Sequence, residues 1–336
     1  MDNAKTDKIA FPLLFLLIAG YILISPIPFL LNVNSQVVTI PFRAFVALFS
    51  MLVIYYYYRN KEHAIKIPTW FILFWLVYLA KMAYDLYVIN IRANMFAQKL
   101  QYFEYAILIC LFPALSVFLV PQNRIDFRKL LNWVYYSLFF ILIISIWHIH
   151  ISGPGTTSGI LSMYYISYGH VGATLSFLSL FLLFEKRGKS LPWKILYLIG
   201  FTWGLFIIYL AAARSPVLAL FIMIALYLFY KIKIKKALIY YTAILIICTI
   251  IIFCLNYLLN THLHNSFFIR TGDMIKGNTN GRWVMYKQAL SDFYHHPIFG
   301  RSFLLQEGVG MGAYPHNLIL EVIMATGLIG LICFGG

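Results

Sequence analysis

Two arginines and one histidine are the residues of this sequence that could do chemistry together. Arg214 stands in a short turn between two apolar runs, Arg282 opens an amphipathic stretch, and His316 directly precedes the last apolar run. Two guanidinium groups can hold a pyrophosphate through bidentate bonds, and a histidine at a helix start can accept a proton near neutral pH. The set suits transfer from a pyrophosphate-linked donor to a hydroxyl, as an inverting displacement without a covalent intermediate.

The elements that must position these residues are membrane helices. The chain is 62% hydrophobic and only 11% charged, whereas a soluble globular chain has about 25% charged residues. Its apolar runs are long enough to cross a hydrocarbon core about 30 Å thick. We therefore predict an all-α, polytopic integral membrane helix bundle with ten spans, or twelve if a C-terminal part is missing. The predicted spans are residues 10–31, 39–58, 68–89, 101–120, 130–151, 160–184, 194–213, 215–230, 237–258 and 316–335.

The basic residues predict the orientation of the bundle. Most of the 26 Lys and Arg residues lie at the N-terminus and in every second connecting segment, whereas the loops 32–38 and 152–159 hold none. By the positive-inside rule, the N-terminus is then cytoplasmic and the long loop 259–315 faces outward. The net charge of +15 is explained in this way, without a nucleic-acid partner.

The chain is predicted to have three parts: a helix bundle over residues 1–258, an outer loop over 259–315, and a following span over 316–336. Residues 282–296 of the loop are predicted to form an amphipathic helix, because apolar residues recur there at spacings of three and four. Gly281 and Arg282 would stand at its first turn, where free N–H groups favour anions. The apolar face predicted for this helix consists of Trp283, Tyr286, Leu290 and Phe293.

Charged residues in or beside the spans have alternative interpretations. Lys81 and Asp85, four apart on one helix face, are predicted to pair with each other or with neighbours, and a direct functional role is the alternative. Arg43, at the outer end of its span, either extends to the surface or contributes to an outer anionic site. Arg214 either caps carbonyl groups at a helix end or binds an anion.

Other kinds of site have less support. The pairs His148-x-His150 and His262-x-His264 could bind zinc, but no carboxylate or cysteine stands near them in the sequence. The 11 acidic residues are isolated, which argues against metal-dependent oligosaccharyltransferases. There is no Walker motif, dinucleotide fingerprint or nucleic-acid module. We therefore predict no metal site and no cofactor.

An ordered set of motifs in residues 200–336 resembles the bacterial O-antigen ligase and O-antigen polymerase family. The topology of the rest of the chain agrees with this, although the family usually has about two more spans. The motifs are Arg214 between small residues, Gly281-Arg282-Trp283, His296-Pro297-Ile298-Phe299-Gly300, His316-Asn317-Leu318-Ile319-Leu320-Glu321, and Gly327-Leu328-Ile329-Gly330-Leu331.

The resemblance implies a metal-independent membrane glycosyltransferase of the GT-C type in the bacterial inner membrane, with its active site facing the periplasm. Its donor would be an undecaprenyl-pyrophosphate-linked glycan, and its acceptor another glycan or the lipid A core. By this resemblance Arg214 and Arg282 bind the donor pyrophosphate and His316 is the base. Asn317 and Glu321 match the family as possible supporting residues. Arg43 is a further possible supporting residue, proposed because it lies at the outer end of its span.

Several activities remain open. A polymerase is slightly favoured because the outer loop is short, a ligase that acts on the lipid A core is close behind, and a protein O-glycan ligase is third. The rival of another class is a flippase for the same lipid-linked sugar. A flippase should have polar residues along a midplane pathway and repeat symmetry, but only Lys81 and Asp85 lie that deep.

Overall fold

The structure, a computed structural model, describes residues 9–59, 67–94, 98–120, 125–152, 161, 163–185, 190–211, 213–259 and 282–335. Within these residues ten helices are long and apolar enough to cross a membrane. The prediction of an all-α, polytopic membrane protein with ten spans is confirmed. In chain order the helices are α1 (Ala10–Leu31), α2 (Ser35–Arg59), α3 (Thr69–Val88), α4 (Lys99–Leu119), α5 (Phe127–Ser152), α6 (Tyr165–Glu185), α7 (Leu191–Ala211), α8 (Arg214–Lys231), α9 (Ile234–Leu259), the amphipathic α10 (Arg282–His295) and α11 (Leu318–Gly335).

The chain folds as two compact units. The first is formed mainly by residues 43–125 and 282–335, and it holds α3, α4, α10, α11 and most of α2. The second is formed mainly by residues 14–42 and 126–259, and it holds α5 to α9 and most of α1. Arg282 and His316 therefore belong to the first unit, whereas Arg214 belongs to the second.

Small residues bring α6 and α7 together in the second unit. A Cβ atom built on Gly204 would lie 2.5 Å from the carbonyl oxygen of Gly172 and 2.2 Å from the hydroxyl oxygen of Ser176. The Ser176 hydroxyl donates a hydrogen bond of 3.1 Å to the carbonyl of Phe201 across the same interface. Lipid offers little hydrophobic drive for helix association, so close backbone packing of this kind holds membrane helices together.

The same packing extends to the turn that carries Arg214. Helix α7 ends at Ala211, and α8 begins at Arg214. A Cβ atom on Gly169 of α6 would lie 2.7 Å from Pro216 and 3.1 Å from the Ala211 side chain. The absence of a side chain at Gly169 thus lets α6 press against both sides of the turn. Arg214, half-buried, is the first residue of α8.

Helix α10 confirms the predicted amphipathic helix in extent but corrects its face. Trp283 is 57% exposed and Leu290 is 36% exposed, whereas the side chains that pack inward are those of Met285, Ala289 and Asp292. The small Ala289 lets α10 approach its neighbours closely. Asp292, predicted to lie away from the apolar face, is buried because its charge is paired with Arg301 at 2.7 Å. Helical periodicity weights bulky apolar residues and cannot foresee such a partner.

Candidate functional site

The candidate site is built around the turn that precedes α11. His316 has φ of +59°, in the left-handed region that non-glycine residues rarely adopt. Asn317 is the N-cap of α11, because its side-chain oxygen accepts hydrogen bonds of 3.1 Å from the backbone N–H groups of both Ile319 and Leu320. Asn317 therefore ends the turn and starts the helix directly after His316, and its predicted supporting role in the reaction stays a prediction.

Glu321 reaches back to the same turn. Its backbone N–H donates to the carbonyl of Asn317 at 2.8 Å, and its carboxylate interacts with the backbone N–H groups of His316 and Asn317. A carboxylate one turn into a helix can satisfy N–H groups that have no helical partner, as in a capping box. Glu321 thus contacts the backbone of the turn that carries His316, and its predicted supporting role stays a prediction.

The imidazole of His316 has an aromatic neighbour and a cationic one. The ring centroid of Tyr314 lies 4.5 Å away in an edge-on arrangement. Partial desolvation and then the positive charge of Arg282 lower the pKa of His316 below its ordinary value. Arg282 and His316 are distant in sequence, but the fold places the charge of Arg282 close enough to act on the His316 imidazole. A histidine with a lowered pKa remains neutral, and able to accept a proton, at a more acidic pH.

We expect the pKa of His316 to lie below 6.5, the ordinary value of histidine, and to rise when Arg282 is replaced by glutamine. The rise follows because removing a nearby positive charge makes the imidazolium easier to form. NMR titration of histidine-labelled protein in nanodiscs, with the signal assigned by its loss in His316→Asn, measures both values. The Lys287→Gln variant, which removes a cation from the same helix, should leave the pKa unchanged. An Arg282→Gln variant with an unchanged midpoint would contradict the assignment.

A cavity of about 350 Å³ lies in the first unit beside this turn. Tyr314 and Glu321 line it, so it is continuous with the residues that hold His316. Tyr105 also lines it, and Arg43 donates a hydrogen bond to the Tyr105 hydroxyl while its guanidinium carbon lies 5.2 Å from the centre of that ring. Arg43 is thus held against a wall of this cavity. The other lining residues are Phe74, Trp75, Tyr78, Met82, Tyr102, Ala106, Cys110, Phe303, Leu304, Leu318, Val322 and Ala325.

A buried ion pair ties α3 to the segment that leads to His316. Lys81 and Asp85 pair at 2.7 Å, as their spacing predicted. The Lys81 ammonium also donates to the carbonyl of Arg301 at 2.8 Å, and Asp85 accepts the backbone N–H of Phe303 at 3.0 Å. Asp85 is fully buried, and a buried carboxylate left without its partner would be strongly destabilising. The sequence showed the pair but not its attachment to residues 301–303.

The Pro297-Ile298-Phe299-Gly300 and Gly327-Leu328-Ile329-Gly330 motifs meet backbone to backbone. Helix α11 is interrupted at Gly327, where φ is +63° and ψ is −153°. The N–H of Leu328 then bonds to the carbonyl of Pro297 at 2.8 Å, and the N–H of Arg301 bonds to the carbonyl of Met324 at 2.9 Å. A broken helix within a membrane needs such partners for its freed backbone groups. The two motifs therefore form one structural joint, where α11 is bonded to residues 297–301.

The chain between this joint and His316 is braced by further polar contacts. Arg301 pairs with both Asp292 of α10 and Glu307, and its guanidinium holds the pKa of Glu307 below the usual range. The backbone N–H of Leu305 bonds to the carbonyl of Ala313 at 2.9 Å, and this bond closes residues 305–313 into a loop. Residues 296–316 are thus packed into the first unit. Their predicted location on the periplasmic side stays a prediction.

Five of the six predicted site residues lie in the first unit, and Arg214 lies in the second. The first unit brings together Arg282, His316, Asn317 and Glu321, with Arg43 on the wall of the adjoining cavity. Sequence reasoning missed Tyr314, for which an aromatic residue two positions before His316 was the only signal. Among the part of the chain that the structure describes, no three His, Cys, Asp or Glu residues cluster as metal ligands. Gly281 and the His262-x-His264 pair lie outside the described residues.

Comparison with known proteins found one family. Residues 199–335 match the family model described as O-Antigen ligase. Neither the curated proteins nor the solved structures contain a match. The matched region includes Arg214, α10, the joint at Gly327 and the His316 turn, and it agrees with the span of the resemblance read from the motifs. With ten apolar helices, the chain is a multi-pass membrane protein, and its residues 199–335 are similar to the O-antigen ligase family.

Proposed function

We propose that this protein transfers a glycan from an undecaprenyl-pyrophosphate donor to an acceptor hydroxyl at the periplasmic face of the bacterial inner membrane. The observation that carries the proposal is the His316 turn. A histidine with a lowered pKa is held there in a left-handed conformation beside Arg282, within the region that matches the family.

His316 is the general base of the proposed reaction. Its neutral imidazole takes the proton of the acceptor hydroxyl as that oxygen attacks the anomeric carbon of the donor sugar. The bond from the anomeric carbon to the pyrophosphate oxygen breaks, and undecaprenyl pyrophosphate leaves with the electron pair. The imidazolium then releases its proton to solvent. One displacement inverts the anomeric centre, and no metal is required because guanidinium groups can stabilise the negative charge of the leaving group.

Arg282 is the residue of the first unit proposed to bind the donor pyrophosphate. It is exposed at the N-terminus of α10, where the helix dipole also favours an anion. The family resemblance assigns the same role to Arg214, which stands at the N-terminus of α8. Asn317 and Glu321 support His316 by holding its turn, and Arg43 is a further candidate from its place beside Tyr105.

A polymerase that extends a chain of repeat units is the preferred activity, and a ligase that attaches the glycan to the lipid A core is the alternative. The flippase alternative is weakened by the Lys81–Asp85 pair. Lys81 and Asp85 are engaged with each other and with the backbone of residues 301–303, so they serve as a structural tie instead of a polar pathway through the midplane.

Deletion of the gene in the native host distinguishes these activities. Loss of a polymerase should leave a single repeat unit on the acceptor, whereas loss of a ligase should remove all decoration while lipid-linked polymer accumulates. Surface polysaccharide and the lipid-linked pool are both measured by gel electrophoresis and mass spectrometry. Unchanged glycan in both pools would refute the transferase.

Complementation then tests the arginines. Arg214→Ala and Arg282→Ala should each fail to restore the glycan, while Lys287→Ala should restore it, because Lys287 is an exposed cation on the same helix as Arg282 whose ammonium lies 5.7 Å from the Trp283 ring centre. Protein levels in the membrane fraction show that each variant is present. Full complementation by Arg282→Ala would remove it from the donor site.

A further inference from the structure

A second cavity, of about 990 Å³, lies in the first unit on a different face of α3 and is not used by the chemistry above. It is at the upper end of the range of about 300–1,000 Å³ typical of small-molecule sites. Its volume is far larger than a phosphate group needs, so it has room for a short oligosaccharide. The polar side chains on its wall include those of Lys81, Asn90, Arg92, His296, Arg301 and Gln306.

The charged side chains that line this cavity all carry the same sign. Among the described residues that line the cavity, three are cationic and none is acidic. Lys81 and Arg301 are balanced from behind by Asp85 and by Asp292 with Glu307. Arg92 has no acidic partner in the described part of the chain, and its guanidinium contacts the sulfur of Met311 at 3.3 Å. One uncompensated positive charge therefore lies on the wall of a large cavity.

Hydrogen bonds fix the backbone of Arg92, so the point from which its side chain extends is also fixed. Its N–H donates to the Gln306 side-chain oxygen at 2.8 Å, and its carbonyl accepts the Gln306 amide at 3.2 Å. Asn94 continues the attachment by donating to the carbonyl of Met311 at 3.2 Å. These bonds hold residues 92–94 against the 305–313 loop that leads to His316. A side chain presented from a rigid backbone loses less freedom when it binds a ligand.

We propose that this cavity binds an acidic saccharide, with Arg92 pairing with a carboxylate or phosphate substituent of the glycan. The proposal rests on the proposed function, since it names a binding site for one of the glycans that the enzyme would bring together. Arginine forms planar, bidentate bonds with such groups. Tyr84, which is half exposed and also lines the cavity, adds aromatic surface for the sugar.

Binding to the full chain in phosphatidylcholine nanodiscs tests the proposal without any transfer reaction. The probes are tetragalacturonate, its uncharged counterpart maltotetraose, and inorganic phosphate, each titrated by calorimetry. Tetragalacturonate should bind at least about tenfold more tightly than either of the others, because a charge-assisted bond adds to the sugar contacts. Equal binding of tetragalacturonate and maltotetraose would overturn the proposal, and so would inorganic phosphate binding as tightly as tetragalacturonate.

The variants locate the site. Arg92→Gln should weaken tetragalacturonate binding at least about tenfold. Arg92→Lys keeps the charge but loses the bidentate bonds, so it should bind more weakly than the unchanged protein and more tightly than Arg92→Gln. Lys287→Gln should leave binding unchanged. Undiminished binding by Arg92→Gln would refute the role of Arg92. If phosphatidylglycerol in the nanodisc displaces the probe, the cavity binds a lipid headgroup and the saccharide assignment fails. Binding lost in Arg282→Ala would place the probe at the donor site and would also overturn the proposal. Failure of the proposed transferase leaves these binding results intact, so the two failures can be told apart.

Discussion

Replacing His316 with asparagine lowers the rate of glycan transfer by about 10²–10⁴-fold, the usual loss on removal of a general base. Asparagine is the informative substitution because His316 has φ of +59°, and asparagine adopts the left-handed region more readily than alanine does. The turn is then kept while the base is lost. Turnover of a lipid-linked donor by purified protein measures the effect, with thermal unfolding in the same detergent as the check on folding.

His295 provides the matched control for this experiment. It is also exposed, lies in the first unit and stands outside the family motifs. His295→Asn should keep most of the transfer activity. Full activity from His316→Asn, with normal folding, would remove the assignment of His316 as the base, and a loss of donor binding in place of turnover would make it a binding residue instead.

Replacing Gly327 with alanine should destabilise the folded protein by about 3 kcal/mol or more. The backbone of Gly327 lies in a region that is essentially restricted to glycine. A Cβ atom would also lie 2.4 Å from the carbonyl oxygen of Ile298 and 2.7 Å from the nitrogen of Gly300. The new methyl group would force apart the joint between α11 and the 297–301 segment. Thermal unfolding followed by size-exclusion chromatography in detergent measures the loss.

Gly308 offers a control that separates backbone conformation from space. Its φ is +69°, similar to that of Gly327, but a Cβ atom there would meet nothing within 4 Å. Gly308→Ala should therefore cost only about 1–2 kcal/mol, the ordinary penalty of a left-handed residue with a side chain. Equal losses in the two variants would show that the close approach at Gly327 contributes nothing to stability.

The fold class and the membrane spans were predictable because they depend on local properties. A run of apolar residues long enough to cross the bilayer must form a helix there, since its backbone groups have no water to bond. Lys81 and Asp85 were predictable as a pair for the same reason: four residues along a helix bring two side chains onto one face. The inward face of α10 was not predictable, because it depends on Arg301, a residue outside the helix.

The order of the motifs and the identities of Arg282 and His316 came from the sequence alone, through the types of residue and their resemblance to a family. Tertiary structure decided how His316 is held. Asn317 and Glu321 bond to the backbone of the turn, and Tyr314 packs edge-on against the imidazole. Arg282 acts through its charge, which comes close to His316 only when α10 and α11 pack together. At Gly300 and Gly327, two segments of backbone approach so closely that a Cβ atom on either residue would clash with the other segment. Local patterns specify which elements form, whereas contacts between residues distant in the chain depend on how those elements pack.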